Sequence, residues 1–184
     1  MSEYRPGSKE DFDRLYQHSY QRLFRTVLAV LGNPAAAEDC VQEACLRAFR
    51  AWPAWKAEAP AEAWLHRIAL NHAISVRRRE RLREAAELVR RLGRPAEAIA
   101  GPEAASEPDL LRELRALPPK QAAAIVLRHV HGYTNREIAF ALGVPERTVA
   151  SRLIAAKARL RQRLGPPGDV PRRGEYSPAA ARPD

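Results

Sequence analysis

Apolar residues recur three or four positions apart along most of this 184-residue chain, and that spacing is typical of one face of an α-helix. No stretch alternates apolar and polar residues as a β-strand does, and the hairpin dipeptides Asn-Gly and Asp-Gly are absent. The helical pattern weakens over residues 84–107, where glycine, proline, alanine and glutamate dominate and indicate a linker. The sequence therefore predicts an all-α protein with two small helical domains joined by a flexible linker.

The same pattern gives the expected boundaries. We expect a first domain over residues 8–83, a second over 108–164 and a disordered tail over 165–184. The tail is mostly proline, glycine, alanine and arginine, so it cannot bury enough apolar surface to offset the entropy of ordering it. In the first domain the third helix is expected from residue 61 through 79, with a separate short helix near 84–92.

Charge and cysteine content narrow the class of protein. The chain has 31 lysines and arginines against 22 aspartates and glutamates, a formal net charge of +9. This excess favours a polyanionic partner, with a merely solvated basic surface as the alternative. There is no apolar run long enough to span a membrane, and we expect no secretory signal, because residues 1–7 are not followed by an apolar stretch. Cys40 and Cys45, five positions apart on one helix, form neither a disulfide framework nor a metal site. We therefore expect a cytoplasmic protein without membrane insertion, metal or cofactor.

Residues 134–164 carry the most specific local pattern. Thr134 is placed to N-cap a short helix, and Glu137 completes a capping box. Gly143 suits a left-handed turn, and Pro145 is a favoured first residue of a second helix. The segment therefore predicts a helix-turn-helix. A helical hairpin whose arginines only meet solvent is the alternative. The outer side of the second helix carries residue types that contact phosphates and base edges in the major groove, namely Arg147, Thr148, Ser151, Arg152 and Arg159.

Both halves together resemble a known family. The first half contains Ala-Glu-Asp-Cys-Val-Gln-Glu-Ala at 37–44 and Ala-Trp-Leu-His-Arg-Ile-Ala-Leu-Asn at 63–71. The second contains Gly-Tyr-Thr-Asn-Arg-Glu-Ile-Ala at 132–139 and Gly-Val-Pro-Glu-Arg-Thr-Val-Ala-Ser-Arg-Leu at 143–153. In this order the segments resemble the extracytoplasmic-function (group IV) sigma factors of bacterial RNA polymerase. The resemblance implies a promoter-melting domain followed by a promoter-binding helix-turn-helix domain.

The resemblance also implies partners and site residues. The acidic patch of Asp39, Gln42 and Glu43 would dock on core RNA polymerase, on its beta and beta-prime subunits, because an acidic strip on a basic protein suits a basic partner. The helix-turn-helix would bind the minus-thirty-five element of promoter DNA. The minus-ten element would meet the loop and the third helix, through Trp52, Trp55, Lys56, Arg67, Asn71, Arg77, Arg78 and Arg79.

The roles of Asn71 and Trp64 have open alternatives. Asn71 is the best single candidate for a base contact, and a buried, hydrogen-bonded asparagine is the competing interpretation. Trp64 fits a core position as well as a DNA contact. The resemblance adds localisation at the nucleoid, and it leaves an anti-sigma factor open as a further partner.

The sequence departs from the family pattern on the second helix of the helix-turn-helix. Arg147 stands where members commonly have glycine, and Ala150 stands where they have a phosphate-binding lysine. Residues 154–157 read Ile-Ala-Ala-Lys where a His-Arg-Ala-Arg run is common. We therefore do not expect the family's usual minus-thirty-five sequence to transfer.

Two rival functions remain. A stand-alone helix-turn-helix transcriptional regulator would bind duplex DNA tightly unaided, often as a symmetric dimer. An enzyme is not expected, because the chain lacks a phosphate-cradling glycine loop, a His-Glu-x-x-His motif and a Gly-x-Ser-x-Gly motif.

Overall fold

The structure, a computed structural model, describes residues 4–91 and 109–164. The predictions for the tail and for residues 92–107 of the linker lie outside these ranges. The described residues form helices α1 to α7 and one 3-10 turn, without a strand, which confirms the all-α prediction. The helices are α1 (Lys9–Leu31), α2 (Pro34–Ala51), α3 (Ala61–Arg91), α4 (Asp109–Ala116), α5 (Pro119–His129), α6 (Asn135–Leu142) and α7 (Glu146–Leu164), and the 3-10 turn is Trp52–Ala54.

Local signals set the ends of α1 and α2. The Ser8 hydroxyl accepts the Asp11 N–H at the start of α1. Gly32 caps the C-terminal end of α1. Its φ of 74° lies in the left-handed region that favours glycine, and its N–H donates to the Leu28 carbonyl. Asn33 then caps α2 by accepting the Ala36 N–H at 2.9 Å, and Pro34 is its first residue.

Helix α3 is longer than predicted. The sequence suggested a helix ending near residue 79 and a separate short helix at 84–92, but one continuous helix of 31 residues runs from Ala61 to Arg91. The physical reason is that residues 80–91 contain no glycine or proline and are rich in strong helix formers. α3 therefore crosses the domain boundary expected at residue 83.

Each half of the chain buries an apolar core. In the first half (residues 4–91), α1, α2 and α3 pack on one another and fully bury Leu23, Val41 and Leu65. In the second half (residues 109–164), α5, α6 and α7 pack together and bury Ile138 and Val149.

The two halves also pack against each other, which the sequence did not predict. α1 contacts α4 and α5, and α3 contacts α5 and α6. One face of the first half is therefore covered by the second half, whereas α2 makes its contacts within the first half.

Candidate nucleic-acid interface

The structure contains the helix-turn-helix, with the capping box and the glycine turn from which it was predicted. The Thr134 hydroxyl accepts the Glu137 N–H, and the Glu137 carboxylate accepts the Thr134 N–H at 2.8 Å, so the capping box is complete. Gly143 has a φ of 61° and donates to the Phe140 carbonyl, while the Val144 N–H donates to the Ala139 carbonyl. This pair of hydrogen bonds is a Schellman motif, which turns the chain into α7.

One side of α7 carries the five predicted contact residues, and we call it the recognition face: Arg147, Thr148, Ser151, Arg152 and Arg159. At 100° per residue they lie within an arc of about 140°. Arg147, Ser151 and Arg159 are exposed, and Thr148 and Arg152 are half-buried. The guanidinium of Arg159 donates to the Gln121 side chain at 3.2 Å, which orients it. The opposite side of α7 is buried in the core of the second half.

Ile154 is an unpredicted member of this surface. Its side chain is 71% exposed, the largest value among the exposed large apolar residues of the described chain. It lies seven residues after Arg147 and three after Ser151, so all three share one side of α7. That spacing was the signal available in the sequence.

Asn71 lies exposed on α3, which rules out the alternative of a buried asparagine. It lines a cavity of about 370 Å³, which we call the Asn71 cavity, together with Arg47, Ile68, His72, Ser75 and Arg79. Arg47 comes from α2, and its guanidinium donates to Glu43 at 2.7 Å. This hydrogen bond lowers the pKa of Glu43. Two arginines thus border a cavity that holds an exposed amide.

The tryptophans of the loop are in the core. Trp52 is 1% exposed, stacks on Trp55 with ring centroids 4.9 Å apart, and donates its indole N–H to the Ser8 carbonyl. Trp55 is buried as well, and the half-buried Trp64 packs against both rings. A buried ring has no face left for a base, so the structure contradicts the prediction that Trp52 and Trp55 stack on DNA. Trp64 belongs to the same aromatic cluster, and Lys56 is exposed.

The three consecutive arginines of α3 have different environments. Arg77 is 7% exposed and donates to the Val30 and Arg115 carbonyls, at the ends of α1 and α4. Burial, followed by the nearby charges of Arg81 and Arg115, lowers its pKa. In this arrangement Arg77 is not available to a DNA phosphate, which corrects its predicted role. Arg78 and Arg79 are exposed.

Arg67 lies exposed on α3, on the side that meets the second half. Its guanidinium carbon is 5.1 Å from the centre of the Phe140 ring of α6. The contact has the geometry of a cation–π interaction. Part of the predicted minus-ten surface is therefore occupied by the second half.

The acidic patch predicted on α2 is part of a continuous surface of this helix, which we call the α2 strip: Asp39, Gln42, Glu43, Leu46 and Phe49. Asp39 and Gln42 are exposed and Glu43 is half-buried on one side of the helix. The sequence analysis missed Leu46 and Phe49, which are exposed at seven and ten residues after Asp39 and extend the strip with apolar surface. Their spacing from the acidic residues was the signal that could have found them.

Over residues 4–91 and 109–164, no three histidine, cysteine, aspartate or glutamate side chains are grouped so that they could hold a metal ion. Within the same residues, no helix combines the length and apolar character that crossing a membrane requires.

Comparison with known proteins supplies the family. The family model described as Sigma-70 region 2 matches residues 15–83, and the one described as Sigma-70, region 4 matches residues 108–160. The ECF RNA polymerase sigma factor SigM of Mycobacterium tuberculosis is 33% identical over 165 residues, covering 86% of this chain and 80% of SigM. The chain belongs to the extracytoplasmic-function sigma factors. As a sigma factor it directs promoter-specific transcription initiation by RNA polymerase, and a stand-alone regulator is not favoured.

Further relatives and solved structures similar to this chain are also sigma factors. SigL of Mycobacterium tuberculosis is 35% identical over 153 residues, covering 82% of this sigma factor and 86% of SigL. The sigma factor RpoE of Bartonella quintana, solved with the anti-sigma factor NepR, is 25% identical with a TM-score of 0.66, covering 84% of this chain and 97% of RpoE. CnrH, solved with the cytosolic domain of CnrY, has the same fold, with 24% identity and a TM-score of 0.61 over 86% of this chain and 90% of CnrH.

Proposed function

We propose that this sigma factor uses three surfaces: the α2 strip for core polymerase, the Asn71 cavity for the minus-ten element, and the recognition face for the minus-thirty-five element. The Glu43–Arg47 hydrogen bond connects the first two. It acts in the cytoplasm at the nucleoid and performs no catalysis of its own. The observation that carries the proposal is the Asn71 cavity, where an exposed amide shares one lining with Arg47 and Arg79.

The α2 strip suits a large protein partner. Asp39 and Glu43 provide negative charge, which orients the encounter with a basic surface. Leu46 and Phe49 then provide exposed apolar area, and burying such area is the usual source of affinity in a protein interface. We expect Leu46→Ser to weaken binding to core polymerase, with Gln21→Ser, exposed on α1, as the control.

The Asn71 cavity suits a nucleotide of an opened promoter. An asparagine amide offers a donor and an acceptor side by side, and it can pair with the edge of a base. A base reaches such an amide only when it leaves the stack, because its edges are otherwise occupied in the duplex. Arg47 and Arg79, which line the same cavity, provide positive charge for the phosphates of the captured strand.

Run-off transcription with core polymerase tests this assignment. Asn71→Ala should reduce initiation from a duplex promoter about tenfold, the effect of losing one base-edge contact, and it should reduce initiation from a pre-melted promoter much less. Gln21→Ala removes an exposed amide from α1 and should behave as wild type. An equal loss on both templates would contradict base capture by Asn71, and a wild-type chain that supports no transcription with polymerase would contradict the function itself.

The recognition face suits the major groove of a duplex. Arg147 and Ser151 lie exposed near the N-terminal end of α7, the end that enters the groove in helix-turn-helix proteins. Ile154 beside them adds an apolar group, and the apolar group presented by DNA in the major groove is the methyl of thymine. We therefore propose that Ile154 contacts a thymine methyl within the minus-thirty-five element.

Replacing thymine with deoxyuridine tests the Ile154 contact, because it removes only the methyl group. Deoxyuridine at the contacted position should weaken upstream-element binding by wild type about fourfold, the value of one buried methyl. Binding by Ile154→Ala should not respond to the same replacement. The control is Leu164→Ala, which alters an exposed apolar residue at the far end of α7 and should keep the wild-type response. Equal responses of wild type and Ile154→Ala at every thymine would refute the contact.

A further inference from the structure

The part of α3 beyond its predicted end carries a row of exposed arginines. From residue 80 to Arg91 the helix continues for about 18 Å, at 1.5 Å per residue. Arg79, at the predicted end, is exposed, and so are Arg83 and Arg90 beyond it. At 100° per residue these three lie within an arc of about 40° on one side of the helix. We call this row the α3 strip: Arg79, Arg83 and Arg90.

The acidic residues of the same segment lie on another side of the helix. Glu80, Glu84 and Glu87 occupy an arc of about 60°, which begins about 40° past Arg83. A helix face that is merely solvated and laced with ion pairs typically alternates its charges. Here the two signs are separated around the helix, so the α3 strip presents positive charge to a partner.

The guanidinium groups of the α3 strip are only weakly held. Within the part of the chain that the structure describes, Arg83 has no hydrogen-bond or ion-pair partner. Arg90 donates to Glu87 one turn earlier, but an exposed ion pair of this kind contributes little in water, and a phosphate can displace it. Arg79 donates to the Ser75 carbonyl at 3.4 Å, which is long for a hydrogen bond.

The α3 strip begins at the Asn71 cavity. Ser75 and Arg79 line that cavity, and Arg83 follows Arg79 by four residues, the spacing of neighbours on a helix surface. The family model of region 2 ends at residue 83, so Arg90 extends the row beyond the segment that this model matches. A nucleic acid that enters the cavity therefore lies next to the strip.

The position of the α3 strip indicates which part of a promoter it meets. Arg90 lies 19 residues after Asn71, about 28 Å along α3, which equals the length of about eight base pairs of B-DNA. The chain runs from Asn71 through Arg90 to the second half, which carries the recognition face. The strip therefore lies on the side of the minus-ten element that leads to the minus-thirty-five element, where the DNA is the spacer between them.

We propose that the α3 strip binds the phosphate backbone of the duplex spacer next to the minus-ten element. Arginine suits this role, because its planar guanidinium can donate two hydrogen bonds to a phosphate and stays charged at physiological pH. Phosphates are the same in every sequence, so the strip adds affinity and fixes register without preferring a base. The inference rests on the proposed function, which places the minus-ten element at Asn71.

Two DNA templates bound by core polymerase with this sigma factor test the strip. One is a single-stranded minus-ten element, and the other is a fork in which about ten base pairs of spacer duplex precede that element, enough to reach Arg90. Neither contains a minus-thirty-five element. The slope of log affinity against log salt concentration counts phosphate contacts. Arg83→Gln should reduce this slope by about one on the fork and should leave the single-stranded template unchanged.

Arg81→Gln is the matched control. Arg81 is exposed in the same segment but lies about 160° from Arg83 around the helix, so this variant should behave as wild type on both templates. Arg83→Lys keeps the charge and should restore most of the slope. Glutamine and lysine form helices about as well as arginine, so these variants should keep the fold of α3.

Arg90→Gln locates the far end of the strip. Arg83 lies 12 residues after Asn71, about 18 Å or the length of about five base pairs, whereas Arg90 is at about eight. A fork with about six base pairs of duplex should therefore respond to Arg83→Gln but not to Arg90→Gln. On the longer fork both variants should lower the slope. A change of the spacer's base sequence at constant length should alter neither result.

The outcomes separate the strip from the function on which it rests. A wild-type slope for Arg83→Gln on the longer fork, or an equal reduction by Arg81→Gln, would overturn the inference. Weaker binding of Arg83→Gln to polymerase without DNA would make the strip a protein interface and would overturn it as well. If Arg83→Gln behaves as expected but Asn71→Ala binds the single-stranded template as wild type does, the assignment of Asn71 fails and the strip stands.

Discussion

The recognition face of α7 and the Asn71 cavity are both arginine-bearing polar surfaces, but they are assembled differently. The recognition face lies on one helix, and the capping box and glycine turn before it come from the same 31 residues, 134–164. The Asn71 cavity takes Arg47 from α2 and its other residues from α3. Its shape therefore depends on how two helices cross, whereas the recognition face depends on where one helix begins.

This difference determines which substitutions should disrupt each surface. The crossing of α2 and α3 is held by the aromatic cluster of Trp52, Trp55 and Trp64, which fills the corner between them. The start of the helix-turn-helix is held by hydrogen bonds at Thr134 and Gly143. Damage to the core should remove the first surface, and damage to a cap should weaken the second.

Trp52→Ala should have the largest effect on this comparison. It empties a fully buried site and leaves the Ser8 carbonyl without its indole donor, so we expect unfolding to become easier by about 3–5 kcal/mol. Chemical denaturation measures the change. Lys56→Ala, in the same loop but exposed, should change stability by less than about 0.5 kcal/mol. A stable Trp52→Ala chain with impaired DNA binding would return Trp52 to the DNA surface.

The sequence predicted the local surface better than the assembled one. The capping box, the left-handed glycine and the exposed side of α7 all depend on neighbours within a few residues, and the structure contains them. The roles of Trp52 and Trp55 were wrong because a loop rich in tryptophan and proline has no periodicity to show which rings are buried. Residue chemistry alone did not distinguish a stacking platform from a core.

Arg77 and the contact between halves show the same limit. The three consecutive arginines 77–79 cannot be distinguished in the sequence. Successive residues on a helix point 100° apart, so only one of them faces α1 and α4 when these helices pack near α3. Side chains that bond across this contact lie far apart in the chain: Thr26 and His131, for example, are 105 positions apart. No periodicity within one helix carries information about such pairs.

Acidification should lower the stability of the folded chain. His66 is almost fully buried, and that burial lowers its pKa from the ordinary 6.5 to about 4. Between these values the unfolded chain binds more protons than the folded one, so the free energy of unfolding falls as the pH drops from 6.5 to 4. At pH 5 the loss from His66 is about 2 kcal/mol. Denaturation at pH 7 and pH 5 measures it.

The charged neighbours of His66 add to this effect, and backbone hydrogen bonds oppose it. Arg22 and His131 face His66, and repulsion from both disfavours its charged form, while the Glu62 carbonyl accepts a hydrogen bond that favours it. Burial also lowers the pKa of His131 to about 4. His66→Gln should flatten the pH dependence between 7 and 5. An unchanged slope in this variant would assign the dependence to other groups, such as His131 and the half-buried His72.

Thr134→Ala tests the cap on which the recognition face depends. It removes the hydroxyl that accepts the Glu137 N–H, and the expected loss of stability is about 1 kcal/mol. Thr134→Ser keeps the oxygen and should restore most of it. Binding of the isolated upstream element should fall with stability in Thr134→Ala, whereas the response of Asn71→Ala on duplex promoters should not change. If Thr134→Ala instead left binding of the upstream element intact and changed only the effect of Asn71→Ala, the recognition face would not depend on this cap.

Arg159→Gln should have the smallest effect and locate the end of the recognition face. Arg159 lies twelve residues after Arg147, about 18 Å further along α7, and its guanidinium donates to Gln121. At that distance from the N-terminal end we expect a phosphate contact, which carries no base information. The variant should weaken binding equally on all upstream sequences and reduce the salt slope by about one. Arg147→Gln should instead change the preference among sequences. If both variants changed only the salt slope, α7 would read the duplex by charge and shape, and sequence discrimination would have to come from Ser151, Arg152 and Ile154.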